Sequence, residues 1–305
     1  MSYRCSVPFR RHPRVIAVVG PTAAGKSALS LELARELGGE VVNADSMQLY
    51  RGMDIGTAKL SGQERRGVPH HVLDIWDVTE PASVAEYQSI ARAAVDDIAA
   101  RGRVPLLVGG SGLYVRAVLE DFAFPGTDPS LRTRLEAELS SGAPLYERLR
   151  SLDPVAAAKI LPSNGRRIVR ALEVIEMTGR PFTASLPSPT PFYDSVQIAV
   201  DREDLDERIA HRVDLMWEAG LLDEVRELEK HGLRAGRTAS RALGYQQALA
   251  ALDGVLTSVE ARAETTRATR RFVRRQRGWF RRDPGITWLD GASPTLVADA
   301  LAVTR

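Results

Sequence analysis

VIAVVGPTAAGKSALSLELARELGG, residues 15–39, decides the fold. Its first five residues, Val15-Ile16-Ala17-Val18-Val19, are apolar and mostly β-branched, the composition of a strand buried on both faces. Gly20-Pro21-Thr22-Ala23-Ala24-Gly25-Lys26-Ser27 then fits G-x-x-x-x-G-K-[ST] at every position. Behind it Leu29, Leu33 and Leu37 recur at helical spacing, and Gly38-Gly39 closes the run. Strand, glycine-rich turn and helix in this order build a phosphate cradle. The turn directs its N–H groups inward, and the helix N-terminus adds partial positive charge. Lys26 reaches the outer phosphate oxygens, and the Ser27 hydroxyl supplies one ligand to Mg²⁺. The stretch marks a phosphate site. It leaves open whether that phosphate is transferred, consumed as fuel or released.

Two further strand-like runs carry polar residues at their carboxyl ends. Val41-Val42 leads into Asn43-Ala44-Asp45-Ser46, and Val104–Val108 leads into Gly109-Gly110-Ser111-Gly112. In an open parallel sheet, ligands bind beyond the carboxyl ends of the strands, so Asp45 and Ser111 are expected beside the cradle. An Asp in such a loop also serves as an ordinary helix cap. P-loop ATPases hold Mg²⁺ with an acid at the end of an apolar strand, but here the best candidate ends in Gly109-Gly110. The guanine signature of a GTPase is absent too. The expected fold is α/β: a P-loop NTPase-like parallel sheet flanked by helices, with a helical insertion domain.

The 305 residues suit about two domains. Residues 1–14 read as a flexible tail, since no apolar stretch follows their Arg residues as it would in a signal peptide. Residues 15–124 and 196–305 form the core. Residues 125–195 form the insertion, whose helix-like segments are punctuated by FPGTDP, SGAP, LDP, LPSNG and TGRP. Asp128, before Pro129, is placed to cap the helix that follows. The segment Ser185–Asp194, with Pro187, Pro189 and Pro191, reads as a linker, and Val196–Val200 as a strand returning to the sheet. A last strand is expected at Ile286–Leu289. No apolar run approaches the roughly 20 residues that cross a bilayer. The single cysteine, Cys5, excludes an internal disulfide, so a cytoplasmic protein is expected. His70-His71 has no third ligand at metal-site spacing and reads as structural.

The net charge of +2 conceals an asymmetry. Residues 262–282 hold nine Arg against one acid, Glu264, so the remainder of the chain is net acidic. In RRFVRRQRGWFRR, Arg270–Arg282, the residues Phe272, Trp279 and Phe280 recur at helical spacing while Arg274, Arg275, Arg277 and Arg281 project elsewhere. Such a segment suits the phosphates of a nucleic acid, with a merely solvated face and a membrane surface as weaker readings. Arg166, Arg167 and Arg170 form a second cluster, implying a polyanion that spans both. Arg208 and Arg212 lie four apart on one helical face, where pairing with Asp204 or Glu207 is the plain alternative to a ligand contact.

With these segments identified, the sequence resembles the tRNA dimethylallyltransferases, or tRNA isopentenyltransferases. The resemblance rests on the ordered motifs GPTAAGKS, ADSMQLYRGMDIGTAK, PHHVLD, PLLVGGSGLY, RRIVRALEV, SRALGYQQ and RRQRGWFRRD. It implies that the cradle holds the diphosphate of dimethylallyl diphosphate as a leaving group. The acceptor would be the exocyclic amine of the adenosine at position thirty-seven, beside the anticodon of tRNA. Asp45 would then be the catalytic base. Lys26, Arg212 and the loop Gly20–Ser27 would stabilise the departing diphosphate with Mg²⁺ on Ser27, and Ser111 would lie near the reacting ends. The resemblance also assigns tRNA contacts. These fall on Asp45, Ser46, Met47 and Gln48; on Ser111 and Arg132; and on Arg166, Arg167, Ile168, Val169 and Arg170. They continue through Arg241, Ala242, Leu243, Gly244, Tyr245 and Gln246, and through Arg274, Arg275, Gln276, Arg277, Gly278, Trp279, Phe280 and Arg281. The chain lacks the zinc-finger cysteines of eukaryotic relatives, so it resembles the bacterial type, expected to act as a monomer without a membrane. The rival readings are an adenylate isopentenyltransferase acting on free AMP, ADP or ATP, a P-loop small-molecule kinase and a non-catalytic RNA-binding protein.

Overall fold

The computed structural model describes residues 13–122, 124–182 and 190–305. Most of the expected tail, and the linker as far as position 189, lie outside the described residues. Arg14 already belongs to the first strand.

The chain divides into two compact units, one running to Leu119 and resuming at Phe192, the other spanning Glu120–Pro191. This differs by a few residues from the expected insertion, 125–195. The Phe192 N–H donates to the Leu119 carbonyl at 2.8 Å, and the returning strand begins at Asp194. Backbone pairing thus begins before the apolar run that was legible in sequence.

In the first unit the strands are β1 (Arg14–Val19), β2 (Gly39–Asn43), β3 (His70–His71), β4 (Val104–Val108), β5 (Asp194–Asp201) and β6 (Ile286–Asp290). They form one sheet in the order β3-β2-β4-β1-β5-β6, every pairing parallel. Val15, Ala17 and Val19 enter one buried cluster while Ile16 and Val18 enter another. Both faces of β1 are covered, which is why its sequence is continuously apolar. Helix α1 (Lys26–Leu37) buries Leu29 and Leu33 in the second cluster and ends on Gly38 in the left-handed conformation. Helices α2 (Val84–Ala100) and α3 (Gly112–Leu119) cover the opposite face. β1 and β4 are neighbours whose connections leave in opposite directions, β1 toward β2 and β4 toward β5, so a crevice opens beyond their carboxyl ends.

The second unit contains α4 (Pro129–Ser140), α5 (Leu145–Leu152), α6 (Pro154–Lys159) and α7 (Gly165–Thr178). Asp128 caps α4 as expected, accepting from the N–H groups of Ser130 and Leu131. Leu135, Leu145, Leu149, Ile168, Val169 and Leu172 make a separate core. Glu173 is buried there against Arg132 and Arg170. Burial works against its ionised form, yet the two guanidiniums hold its pKa below the usual carboxylate range.

The remainder of the first unit is α8 (Leu205–Glu218), α9 (Leu221–Lys230), α10 (Tyr245–Leu252), α11 (Ser258–Phe280) and α12 (Leu296–Thr304). None of the described helices is long and apolar enough to cross a membrane. His70 and His71, expected to be structural, form the edge strand β3. His71 Nε2 lies 2.7 Å from the Glu40 carboxylate, and His70 Nδ1 lies 2.9 Å from the Val68 carbonyl.

Candidate active site

The crevice is built by the loops that follow β1, β2 and β4. Gly20 adopts φ +122°, and a Cβ there would lie 2.4 Å from the Val200 carbonyl oxygen, so only glycine lets the loop turn beside β5. Gly109 is equally constrained, because its Cβ would sit 2.2 Å from the Ala44 backbone. That close approach brings the β4 loop against the β2 loop. The Ser111 hydroxyl accepts from the Ser46 N–H and donates to the Ser46 hydroxyl, both at 3.2 Å.

Asp45 is held by its own turn. Its N–H donates to Asn43 Oδ1 at 2.9 Å, and its Oδ1 accepts from the Met47 N–H at 3.0 Å. The Lys26 ammonium donates to the Pro21 carbonyl at 2.7 Å. Burial lowers its pKa to about 8; the Asp45 carboxylate offsets part of that fall, and Arg212 adds to it. From α8, Arg208 Nε donates to the Ala23 carbonyl at 2.9 Å, and Arg212 donates to the Thr22 hydroxyl at 3.3 Å. Both Arg residues therefore reach the cradle, while Asp204 is taken by Arg202. Burial, with the neighbouring Arg208, pulls the Arg212 pKa below its ordinary value. Lys26, Arg208 and Arg212 thus crowd around this loop, with the Asp45 carboxylate close enough to act on both Lys26 and Arg212.

Two cavities meet at this point. One, of about 290 Å³, is polar and includes Lys26, Ser27, Asn43, Gln48, Lys59 and Glu64. The other, of about 350 Å³, carries Ser111 and an apolar wall of Ile209, Val213, Met216, Leu243 and Phe272. Thr22, Asp45, Thr57 and Arg212 line both, so the carboxylate stands on the border between the polar side and the apolar side. Thr265 and Thr269 belong to the apolar wall as well, and each donates its hydroxyl to the carbonyl four residues earlier.

Several of these residues were not singled out from sequence. Ile209, Val213 and Met216 share a face of α8 with Arg212, a spacing visible in the chain but equally diagnostic of an ordinary core face. Glu224 had no local signal at all. From α9 it accepts from the N–H groups of Asp54, Ile55 and Gly56, and from the Tyr245 hydroxyl at 2.6 Å. Lys59, whose side chain is buried, binds Asp54 and Asp74. Together they fix the loop that presents Thr57 to both cavities.

The residues expected at a tRNA surface divide into three groups. Arg166, Arg167, Arg241, Gln246, Arg274, Arg275, Gly278, Trp279 and Arg281 are exposed. Ser46, Met47, Gln48, Leu243, Arg132, Arg170 and Arg277 are partly buried, with Arg132 and Arg170 on Glu173 and Arg277 on Asp201. Ile168, Val169, Ala242, Gly244, Tyr245, Gln276 and Phe280 are buried, Ala242 and Tyr245 at the wall of the apolar cavity. Ile168 and Val169 fill the core of the second unit, and Phe280 that of the first. The basic segment is likewise less cationic than its sequence. Arg262 pairs with Asp214, Arg267 and Arg271 with Glu264, Arg270 with Asp206, and Arg277 and Arg281 with Asp201. Among the described residues, Arg274, Arg275 and Arg282 are left without an ion pair, and Arg275 lies at the cavity.

Comparison with known proteins agrees with this architecture. The family described as IPP transferase matches residues 48–283. A protein of Salinispora arenicola named tRNA dimethylallyltransferase is 73% identical over 295 residues, covering 95% of this chain and 86% of its own. One of the same name from Streptomyces avermitilis is 69% identical, covering 93% and 92%. The crystal structure of a tRNA isopentenylpyrophosphate transferase from Bacillus halodurans superposes with a TM-score of 0.70 at 42% identity, covering 95% of this chain and 94% of that one. A eukaryotic dimethylallyltransferase acting on tRNA superposes with a TM-score of 0.81 at 29% identity, over 95% of this chain and 77% of that one. Sequence and architecture lead to one assignment: the chain belongs to the IPP transferase family.

Proposed function

We propose that this protein transfers the dimethylallyl group of dimethylallyl diphosphate to the exocyclic amine of adenosine thirty-seven in the anticodon loop of tRNA, releasing diphosphate. The observation that carries the proposal is the position of Asp45 on the border between a cation-lined polar cavity and an apolar one. A donor with a charged diphosphate and a hydrocarbon chain needs both environments, with the reacting carbon where they meet.

The diphosphate binds at the loop Gly20–Ser27 among Lys26 and Arg212, which stabilise the negative charge that grows as the carbon–oxygen bond breaks. The adenosine amine attacks that carbon. As the new carbon–nitrogen bond forms the amine loses a proton, and the Asp45 carboxylate accepts it. Ser111, hydrogen-bonded to Ser46, steadies the loop that carries Asp45. The oxygen donors of the polar cavity (the Ser27 hydroxyl with the Glu64 carboxylate) suit Mg²⁺, which prefers oxygen ligands and phosphates. When bound, the ion neutralises charge on the leaving diphosphate.

The target base is stacked in its loop and must be turned out to reach Asp45, which unpaired loop nucleotides allow at modest cost. Arg274 and Arg275, exposed and free of ion pairs, suit contacts to the loop backbone. Replacing both with Ala is expected to raise the tRNA KM. It should also reduce the slope of log affinity against log salt by about 1.5, roughly 0.7–0.9 per lost phosphate contact. A slope equal to that of the wild type would assign these residues to a solvated face.

The decisive measurement is mass spectrometry of tRNA nucleosides after incubation with the protein, dimethylallyl diphosphate and Mg²⁺. Prenylated adenosine in the anticodon loop is the expected product. Modification of free AMP alone, or a requirement for ATP cleavage, would refute the proposal.

A further inference from the structure

Gln276 lies in the motif RRQRGWFRRD, among the residues expected to touch tRNA. Its neighbours Arg274 and Arg275 are exposed, but Gln276 is only 6% exposed and points the other way. Its side-chain oxygen accepts from the Thr22 N–H at 3.0 Å, and its side-chain nitrogen donates to the Gly110 carbonyl at 2.9 Å. One amide thus bridges the loop after β1 and the loop after β4, which are otherwise remote in sequence. The fit is close: a Cβ on Gly110 would sit 2.3 Å from the Gln276 nitrogen.

This bridge meets a specific requirement. Thr22 is a residue of the cradle, and its hydroxyl accepts from Arg212. The N–H of Thr22 is a donor that cannot remain unpaired in a part-buried loop without cost. Gln276 satisfies it, and so sets the tilt of the peptide that presents the Thr22 hydroxyl to Arg212. At the same time it holds Gly110, next to Ser111. The task needs one acceptor and one donor at the end of a side chain of this length. Glu offers the acceptor alone, and Met offers neither.

We infer that Gln276 is a positioning residue for the diphosphate cradle, acting on the donor side of the reaction although it is carried by the helix that presents Arg274 and Arg275. The inference rests on the reading of the cradle as the diphosphate site.

The test measures two affinities on the same variants. Gln276→Met, which leaves the Thr22 N–H unpaired, and Gln276→Glu, which sets a carboxylate against the Gly110 carbonyl, are each expected to weaken binding of a non-reactive thiolodiphosphate analogue of the donor by about tenfold, the scale of one unsatisfied buried polar group. The tRNA Kd should stay within about twofold, since no phosphate contact is lost. Weakened tRNA binding with donor affinity intact, or no change in either, would overturn the inference. A third measurement needs no variant, and so does not depend on the substituted chains folding. In the wild-type protein the side-chain NH₂ resonances of Gln276 should shift on adding inorganic pyrophosphate with Mg²⁺. A shift with an anticodon stem-loop and none with pyrophosphate would also overturn it. Failure of the wild-type protein to bind either the analogue or pyrophosphate would instead refute the diphosphate site itself, a separate outcome that this control identifies.

Discussion

Asp45→Asn is expected to lower turnover by about a hundred- to ten-thousand-fold while leaving tRNA affinity within about twofold, because it removes proton acceptance and little else. Asn keeps an oxygen that can accept from the Met47 N–H, so the turn after β2 survives. The substitution also preserves the hydrogen bonds of Asn43, which hold Asp45 through backbone atoms. Single-turnover measurement of prenyl transfer at saturating tRNA and donor isolates the chemical step from binding. Asp45→Ala tests the geometry separately. If Ala abolishes transfer and Asn does not, the turn matters and the base role is wrong. If both lose transfer and tRNA binding equally, Asp45 is a binding residue.

Lys26→Ala should weaken donor binding and reduce turnover together, by about a hundred- to a thousand-fold in kcat, since the lost charge counters one that develops mainly as diphosphate departs. The effect has a pH signature with a definite sign. Burial brings the Lys26 pKa down to about 8 in the free protein, with Arg212 contributing and Asp45 opposing. Below that pH the ammonium is present and ready for the anion. Above it the free protein must first take up a proton, so donor affinity falls as pH rises. Between pH 7 and pH 9.5 the Kd of the thiolodiphosphate analogue is expected to rise by about tenfold or more through this group, given one proton per site. Lys26→Ala should lose that dependence. A wild-type Kd that stays flat through pH 8, or a variant that retains the full slope, would remove Lys26 from the clamp.

The cradle was legible from the chain because every part of it is local. Strand, turn and helix N-terminus are consecutive in residues 15–39, and the glycines are required by backbone geometry that β1 and α1 impose on the turn between them. The parallel sheet followed from the same logic, since strands covered on both faces read as unbroken apolar runs. Strand ends pointed to Asp45 and Ser111 and helical spacing to Arg212, and motif resemblance then gave them roles. The two-residue strand β3 could not be found this way: His70 and His71 lack an apolar pattern, and their pairing with Val41 and Val42 is decided by the sheet.

The basic segment shows where such reading ends. Nine Arg against one acid is a fact of composition, but the acids that answer them, Asp201, Asp206 and Asp214, lie between roughly 50 and 80 residues away in the chain. Composition within a window cannot register a counter-charge supplied by another element. Four of the nine are paired with these distant acids and two with Glu264 inside the segment, and among the described residues three have no ion pair. Gln276 and Glu224 teach the same lesson for polar groups, as each satisfies backbone N–H groups more than 160 residues distant. Local backbone chemistry was therefore enough to specify a strand, a glycine-rich turn and a helix N-terminus on a parallel sheet. Which arginines remain free, which polar side chains brace the cradle, and how a polar and an apolar cavity share Asp45 were settled by folding alone, because hydrogen bonds and ion pairs depend on distance in space.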